Sequence, residues 1–332
     1  MQKKNYLCPK CKGNRIAHIV YGLPDFTEEL EQRIEAGEII LGGCLPGRWH
    51  WECLDCGEKF RDEPLADGSG ADRGKQFRIT DDGIRLNAKL DMPLHPADKC
   101  PLVIVIHGFT GHMEERHITA VSGLLNGLGC ATLRVDMYGH GNSEGKFEDH
   151  TLYKWLTNAL TVIDYARGLD FVTDIYLCGH SQGGMTVMLA GAMKHDVIKG
   201  LIPLSPAWMI PEGARKGTLL GQDFDPDHIP DRLPAWGDRG LNGNYVRVAQ
   251  TIHVEEAIDR FDGPVLIVHG DQDEAVPVEY AYKAANRYRN CHLVVIPGDT
   301  HCYDHHLEEV LEAVTYWMRK QLKESGGRND IR

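Results

Sequence analysis

Gly179-His180-Ser181-Gln182-Gly183 fits G-x-S-x-G, a pattern with a mechanical meaning. A nucleophilic serine has to sit in a sharp strand-to-helix turn so that its Oγ stands clear of the backbone, and the flanking glycines keep side chains out of that turn. The context agrees: an apolar run, "DIYLC", precedes the motif and a helix-forming run, "SQGGMTVMLAGAM", follows it. Serine is a weak nucleophile at neutral pH. It needs a general base, and the base needs an orienting carboxylate. On this template acid and base follow the serine in that order. The candidates are Asp271 and Asp273 in "HGDQDEAVP", and His301, His305 and His306 in "PGDTHCYDHH". The phrase H-G-x-x-D-x-x-V-P favours Asp273 and leaves Asp271 to structure the loop. His301 directly follows an apolar strand, whereas His305 and His306 stand before the last helix as solvated or capping residues. The oxyanion donors expected by the same logic are the backbone N–H groups of Gln182, after the nucleophile, and of Phe109, after "PLVIVIHG". His107 and Gly108 are expected to shape that turn. The Gly-rich "DMYGHGNSEG" (136–145) lacks the context of a phosphate-binding loop and reads as a structural loop near the site.

A second chemistry lies at the front of the chain. Cys8 and Cys11 form one CxxC pair, and Cys53 and Cys56 another. Two such pairs in a small module predict a closed, tetrahedral structural zinc site with no open position for catalysis. The separation from Cys11 to Cys53 exceeds the usual ribbon spacing, and "DFTEELEQRIEAGEII" (25–40) reads as a partly helical insert. Cys44 lacks a CxxC partner and is expected to be a non-ligand. The other five of the ten cysteines are scattered, as buried thiols of a cytosolic protein would be.

These residues need a scaffold. The 332 residues suffice for one large α/β domain and a small module. Residues 1–62 carry both cysteine pairs, and the Gly/Asp-rich 63–75 reads as a linker. From residue 76 to about 325 strands alternate with helices. "QFRIT" and "IRLNAKLDMP" form a hairpin at Asp82-Gly83. Strands follow at 101–108, 130–137, 174–180, 199–206, in "PVLIVHGDQD" and in "HLVVIPG", with helices between them and a last helix from about residue 308. That alternation predicts a mostly parallel sheet with helices on both faces. It breaks at about 207–261, a Pro-, Asp-, Gly- and Trp-rich stretch expected to be an irregular insertion over one end of the sheet. A net charge of −12 disfavours nucleic acid and acidic membrane as partners of the whole chain. No run approaches the ~20 apolar residues of a membrane span, and no apolar segment follows the charged N-terminus as in a secretory signal. A cytoplasmic enzyme is the expectation.

The phrases "PLVIVIHGFTGH", "DMYGHGNSEGKFEDHT", "GHSQGG", "DPDHIPDRLPAW", "GNYVRVAQTI", "VLIVHGDQDEAVP" and "IPGDTHCYDHH" resemble the bacterial cinnamoyl/feruloyl esterases of the α/β-hydrolase superfamily. The likeness covers about residues 76–322. It implies an α/β-hydrolase fold with a small lid, a Ser181–His301–Asp273 triad, hydrolysis of feruloyl, caffeoyl and p-coumaroyl esters without a catalytic cofactor, and pairing of two copies. The lid would cover an aromatic acyl pocket. Trp236 and Tyr245 could stack on a phenyl ring there and Asp227 could accept from a phenolic OH, or the two aromatics could fill the lid's own core. The front segment resembles a small bacterial zinc-ribbon family, a resemblance that implies no activity and names no partner. Those esterases usually lack such a ribbon.

Two other functions compete. One is a general acyl esterase or monoacylglycerol-type lipase on the same fold. The other is a binding protein driven by the ribbon, where Lys3, Lys4, Lys10, Lys12 and Arg15 form a basic patch offset by Glu28, Glu29, Glu31, Glu35 and Glu38. The complete, correctly ordered triad favours hydrolysis.

Overall fold

A computed structural model describes residues 8, 10–20, 28–41, 51–60, 74–94, 98–219, 221–234 and 240–326. Two compact units divide the chain, Met1–Asp72 and Arg73–Arg332.

In the first unit, four short strands pair in the spatial order Ile39–Leu41, Ile16–Val20, Trp51–Cys53, Lys59–Phe60. The insert between the cysteine pairs supplies a helix, Glu28–Glu35, and the edge strand Ile39–Leu41. Cys44 and most of the predicted linker lie outside the described residues.

The second unit is built on an eight-stranded sheet. Its strands are β1 (Lys75–Asp81), β2 (Ile84–Asp91), β3 (Cys100–Ile106), β4 (Ala131–Val135), β5 (Val172–His180), β6 (Ile198–Leu204), β7 (Val265–Gly270) and β8 (Cys291–Ile296). The spatial order is β1-β2-β4-β3-β5-β6-β7-β8. β1 and β2 form the predicted hairpin, with left-handed φ at both Asp82 and Gly83, as a tight two-residue connection demands. β2 also runs antiparallel to β4, and every other pairing is parallel.

Period-two alternation sorts the buried residues onto two faces. Val103, Val105, Tyr176, Cys178, Ile202, Leu204, Leu266 and Val268 point to one side, where helices α1 (Arg116–Gly127) and α8 (Leu307–Gly326) cover them. Leu102, Ile104, Ile106, Leu177, Leu201 and Ile267 point to the other, under α2 (Leu152–Arg167), α3 (Gln182–Met193) and α7 (Glu279–Arg287). Helix α3 is buried on nearly all sides. Its Gly, Ala and Met residues suit that position, because a helix apolar all round belongs in a core.

The stretch after β6 is more ordered than its composition suggested. It holds α4 (Met209–Lys216), a hairpin of residues 218–219 with 222–223, the antiparallel pair Arg232–Pro234 and Gly240–Asn242, then α5 (Asn244–Gln250) and α6 (Val254–Arg260). Gly217 ends α4 in a left-handed conformation. α6 packs on α3, so the last part of the expected insertion is one of the helices that clothe the sheet. The irregular reading failed because helices of seven or eight residues are too short to show a clear 3.6-residue period. Among the described residues, no helix is long and apolar enough to cross a membrane.

Candidate active site

Ser181 stands between β5 and α3 with φ 56° and ψ −120°, a conformation non-glycine residues rarely adopt. Its N–H donates to Leu204 O at 2.9 Å, while its carbonyl accepts from Met185 and Ala207 N–H. The turn is tight enough to dictate its neighbours. A Cβ on Gly179 would lie 2.3 Å from Gly183 O, and one on Gly183 would lie 2.3 Å from His107 O. A Cβ on Gly108 would meet the Ser181 Cβ at 3.0 Å, so the loop after β3 lies against the serine.

His301, after β8, and Asp273, after β7, come together: Nδ1 of His301 is 2.7 Å from Asp273 Oδ2. Asp273 Oδ1 accepts from the N–H groups of Ala275 and Val276 at 2.9 and 2.8 Å. Burial alone would raise this carboxyl, but hydrogen bonds from His269 and His301 outweigh it and hold the group well below the usual carboxylate range. It therefore stays charged opposite His301. Asp271 is engaged elsewhere. Its Oδ1 accepts from Gly298 N–H at 2.7 Å and ties the ends of β7 and β8 together. The N–H groups of His305 and His306 donate to Asp299, capping the entry to α8.

The sequence reading missed several groups that hold this constellation. Nε2 of His269 lies 3.0 Å from Asp273 Oδ2, a second donor to the acid from a histidine in an otherwise apolar strand. Nε2 of His180 donates to the backbone carbonyl of His301 at 2.8 Å. The Tyr303 hydroxyl donates to Val268 O at 3.0 Å and accepts from Ser205. For His269 the available signal was a polar residue inside an apolar run, since a buried polar group must find a partner; His180, inside the G-x-S-x-G motif, and Tyr303, in the polar "DTHCYDHH", carried no such signal.

The two expected oxyanion donors belong to segments that adjoin Ser181. Gln182 is the first residue of α3, where backbone N–H groups lack helical partners and favour negative charge. Phe109 follows the glycine packed on Ser181. Its ring meets Phe147, His150 and Tyr245, with centroids 5.4, 5.4 and 6.2 Å away. The loop at 136–145 turns out to organise this side. Asp136 is buried and accepts from Met113 N–H, Asn142 N–H and the Asn87 side chain, stitching its own loop to the loop after β3 and to strand β2.

Of the three residues suggested for an acyl pocket, Tyr245 is fully buried and its hydroxyl donates to Gln182 Oε1 at 2.6 Å. Asp227 lies in an exposed turn, its N–H donating to Asp225. Trp236 falls outside the described residues.

In the first unit, the sulfurs of Cys8, Cys11, Cys53 and Cys56 all lie within 4.8 Å of one another. Two cross-pair separations, Cys8 to Cys56 and Cys11 to Cys53, are 3.6 Å. Thiolates at tetrahedral corners 2.3 Å from a zinc ion would be about 3.8 Å apart, so the donor set fits. Each CxxC is followed by a left-handed residue, Lys12 and Gly57. The N–H groups of Cys11 and Gly13 point at the sulfurs of Cys8 and Cys11, as in a knuckle built to support thiolate charge.

Residues 97–235 match the family model described as serine aminopeptidase, S33. Est1E from Butyrivibrio proteoclasticus, solved with ferulic acid bound, is 67% identical. The match covers 74% of this chain and 99% of that one, with a TM-score of 0.74. The human mitochondrial palmitoyl-protein thioesterase ABHD10 is 24% identical over 60% of this chain, which covers only 65% of that protein's length. A monoacylglycerol lipase of Mycolicibacterium smegmatis is 25% identical over 67% of this chain and 89% of its own.

Proposed function

Because this chain belongs to the α/β-hydrolase family and is one of its carboxylic ester hydrolases, we propose that it cleaves hydroxycinnamoyl esters, of the feruloyl, caffeoyl and p-coumaroyl type, through an acyl-enzyme. The observation that carries this reading is the 67% identity to Est1E, whose structure holds ferulic acid. At that identity, spanning nearly all of Est1E, the residues around the acyl group are expected to be largely shared.

In this reading Ser181 is the nucleophile, His301 the base and Asp273 the group that orients it. Asp273 fixes the proton of His301 on Nδ1, leaving Nε2 free to take the Ser181 proton as Oγ attacks the ester carbonyl. The N–H groups of Phe109 and Gln182 receive the developing oxyanion. His301 passes the proton to the departing alcohol. It then deprotonates water, which attacks the acyl-serine and releases the cinnamic acid. The acyl ring is placed near Phe109, Phe147 and Tyr245. The cysteine cluster is proposed to hold a structural zinc ion that takes no step in this sequence; its four thiolates would close the metal's coordination and staple the small unit.

One panel tests the proposal: methyl ferulate, methyl caffeate and p-nitrophenyl butyrate, with wild type and Ser181→Ala. The expected result is preferred turnover of the hydroxycinnamates and loss of roughly 10⁶ in kcat in the variant. Preference for butyrate would replace the feruloyl reading with the general esterase or monoacylglycerol lipase one. Near-normal activity of Ser181→Ala would remove the serine mechanism.

A further inference from the structure

Phe109 is gripped from both sides by histidines that no step above uses. His107 is fully buried. Its Nε2 accepts from Met137 N–H at 3.0 Å, and its Nδ1 donates to the carbonyl of Gly108 at 2.7 Å. His140 is 4% exposed. Its Nε2 accepts from Thr110 N–H at 3.2 Å, and its Nδ1 donates to Tyr138 O at 2.9 Å. Both histidines thus bridge the same two segments, the 137–140 loop after β4 and the 108–110 loop after β3.

Each bridge also dictates a tautomer. A backbone N–H can only donate and a carbonyl can only accept. Both rings must therefore be neutral, with the proton on Nδ1 and a lone pair on Nε2. Burial acts the same way on His107, pulling it down to about 4. His140 is wedged among His107, Phe147, His150 and Trp155, with ring centroids 4.9 to 5.4 Å away, so its ring has little room to turn.

The consequence lies in the peptide planes. The Gly108 carbonyl and the Phe109 N–H belong to one planar, trans peptide and point in opposite directions. A donor fixed on Gly108 O therefore fixes the aim of Phe109 N–H and polarises it. The next peptide ends at Thr110 N–H, which His140 holds, and Thr110 has φ 63°, unusual for a β-branched residue. Without the His140 contact that strained residue would be free to relax and carry Phe109 with it.

We propose that His140, acting with His107, is a positioning residue for the oxyanion hole: a tautomer-locked clamp from the loop after β4 that aims the Phe109 N–H at the tetrahedral intermediate. The proposal rests on reading Phe109 N–H as an oxyanion donor. Because a donor aimed at the transition state contributes little to ground-state binding, the clamp should act on kcat and leave KM alone.

The test is carried out on the full chain. Gly108-Phe109 is the only Gly-Phe pair in the sequence, so ¹³C-carbonyl glycine with ¹⁵N-phenylalanine labels this one amide for NMR. A cinnamyl-type boronic acid, forming a tetrahedral adduct on Ser181, should move the Phe109 amide proton downfield in the wild type. His140→Leu should abolish most of that movement and lower kcat roughly 10- to 100-fold, short of or equal to the loss on removing a whole oxyanion donor, with KM within about twofold. His140→Gln, whose amide can accept from Thr110 and donate to Tyr138, should restore much of both. No movement in the wild type overturns the donor reading and with it the clamp. A full shift retained in His140→Leu, or a kcat left unchanged, overturns the clamp alone. A further measurement needs no variant to fold: long-range ¹⁵N spectra of the wild-type histidines should show His140 neutral and protonated on Nδ1 at pH 7, and the opposite tautomer overturns the proposal.

Discussion

At the residue scale, the two aspartates two positions apart in "GDQD" show how far residue type carries an argument and where geometry takes over. Both are acidic and both follow the same strand. Asp273 is nearly buried and faces His301 and His269, whereas Asp271 is exposed and bonded to Gly298 N–H. Asp273→Asn should keep the fold but lower kcat about 10⁴-fold, because an amide there favours the wrong His301 tautomer. Asp271→Asn should stay close to wild type, since substitutions at exposed sites usually change stability by within about 0.5 kcal/mol. Comparable losses in both variants would mean that the acid has been misassigned. The triad candidates were legible because chain order and strand ends single out few residues. Of the histidines around them, His107 was read only as shaping its turn, and His140, His180 and His269 were not legible, because a histidine's partner here is usually a backbone group from a distant loop, and no spacing in the sequence records that.

At the element scale, the turn between β5 and α3 is a joint whose tolerances follow from distances. A methyl group on Gly183 would have to displace the backbone carbonyls of Ile106 and His107, which belong to the central strand and its exit. Gly183→Ala is expected to cost on the order of 3 kcal/mol or more, in the range of severe overpacking, and to yield little soluble protein. Gly108→Ala meets softer neighbours, the Ser181 Cβ and His180 Nδ1 at 3.0 and 3.1 Å. It should fold with only a modest drop in melting temperature and a clear fall in kcat. If instead Gly108→Ala proved the more destabilising in thermal melts, the close approach of these two loops would be wrong. The sheet itself was readable from the sequence because its strands are apolar runs separated by helices of two to five turns. The stretch from Ala207 to Phe261 was not, because its short helices and hairpins are held by tertiary contacts. Tyr245, for example, is buried through its bond to Gln182, far away in the chain.

At the scale of the whole molecule, the buried histidines make a statement about pH. Burial pushes His107 and His150 down to about 4, His117 to about 3, and His180 well below its ordinary value. The unfolded chain protonates these groups below about 6.5, and the folded chain cannot, so stability falls as pH drops from there towards the folded values. Glu115 opposes this, because burial raises it to about 7 and the folded state gains that proton first. Four groups against one leave a net difference approaching three protons, or up to ~4 kcal/mol per pH unit. Urea midpoints should therefore decline steeply between pH 6 and 4.5, and a flat profile would show that these rings are not neutral in the fold. The small first unit follows a different rule. Beyond Cys8 and Cys53, its described buried apolar residues are only Ala17, Ile19 and Ile39, too little core to fold a chain of that size unaided. Four of its described basic side chains are paired with carboxylates, Lys10 with Glu58, Arg15 with Asp55, Arg33 with Glu38 and Lys59 with Glu52, which weakens the case for a nucleic-acid surface. The metal should thus be the unit's main source of stability and irrelevant to ester cleavage. Chain purified without chelator should carry one zinc ion, and Cys56→Ser should lose it. Hydrogen exchange in Met1–Asp72 should then rise sharply while the second unit stays protected and turnover of methyl ferulate stays unchanged. A parallel loss of activity would tie the cysteine cluster to the hydrolase chemistry after all.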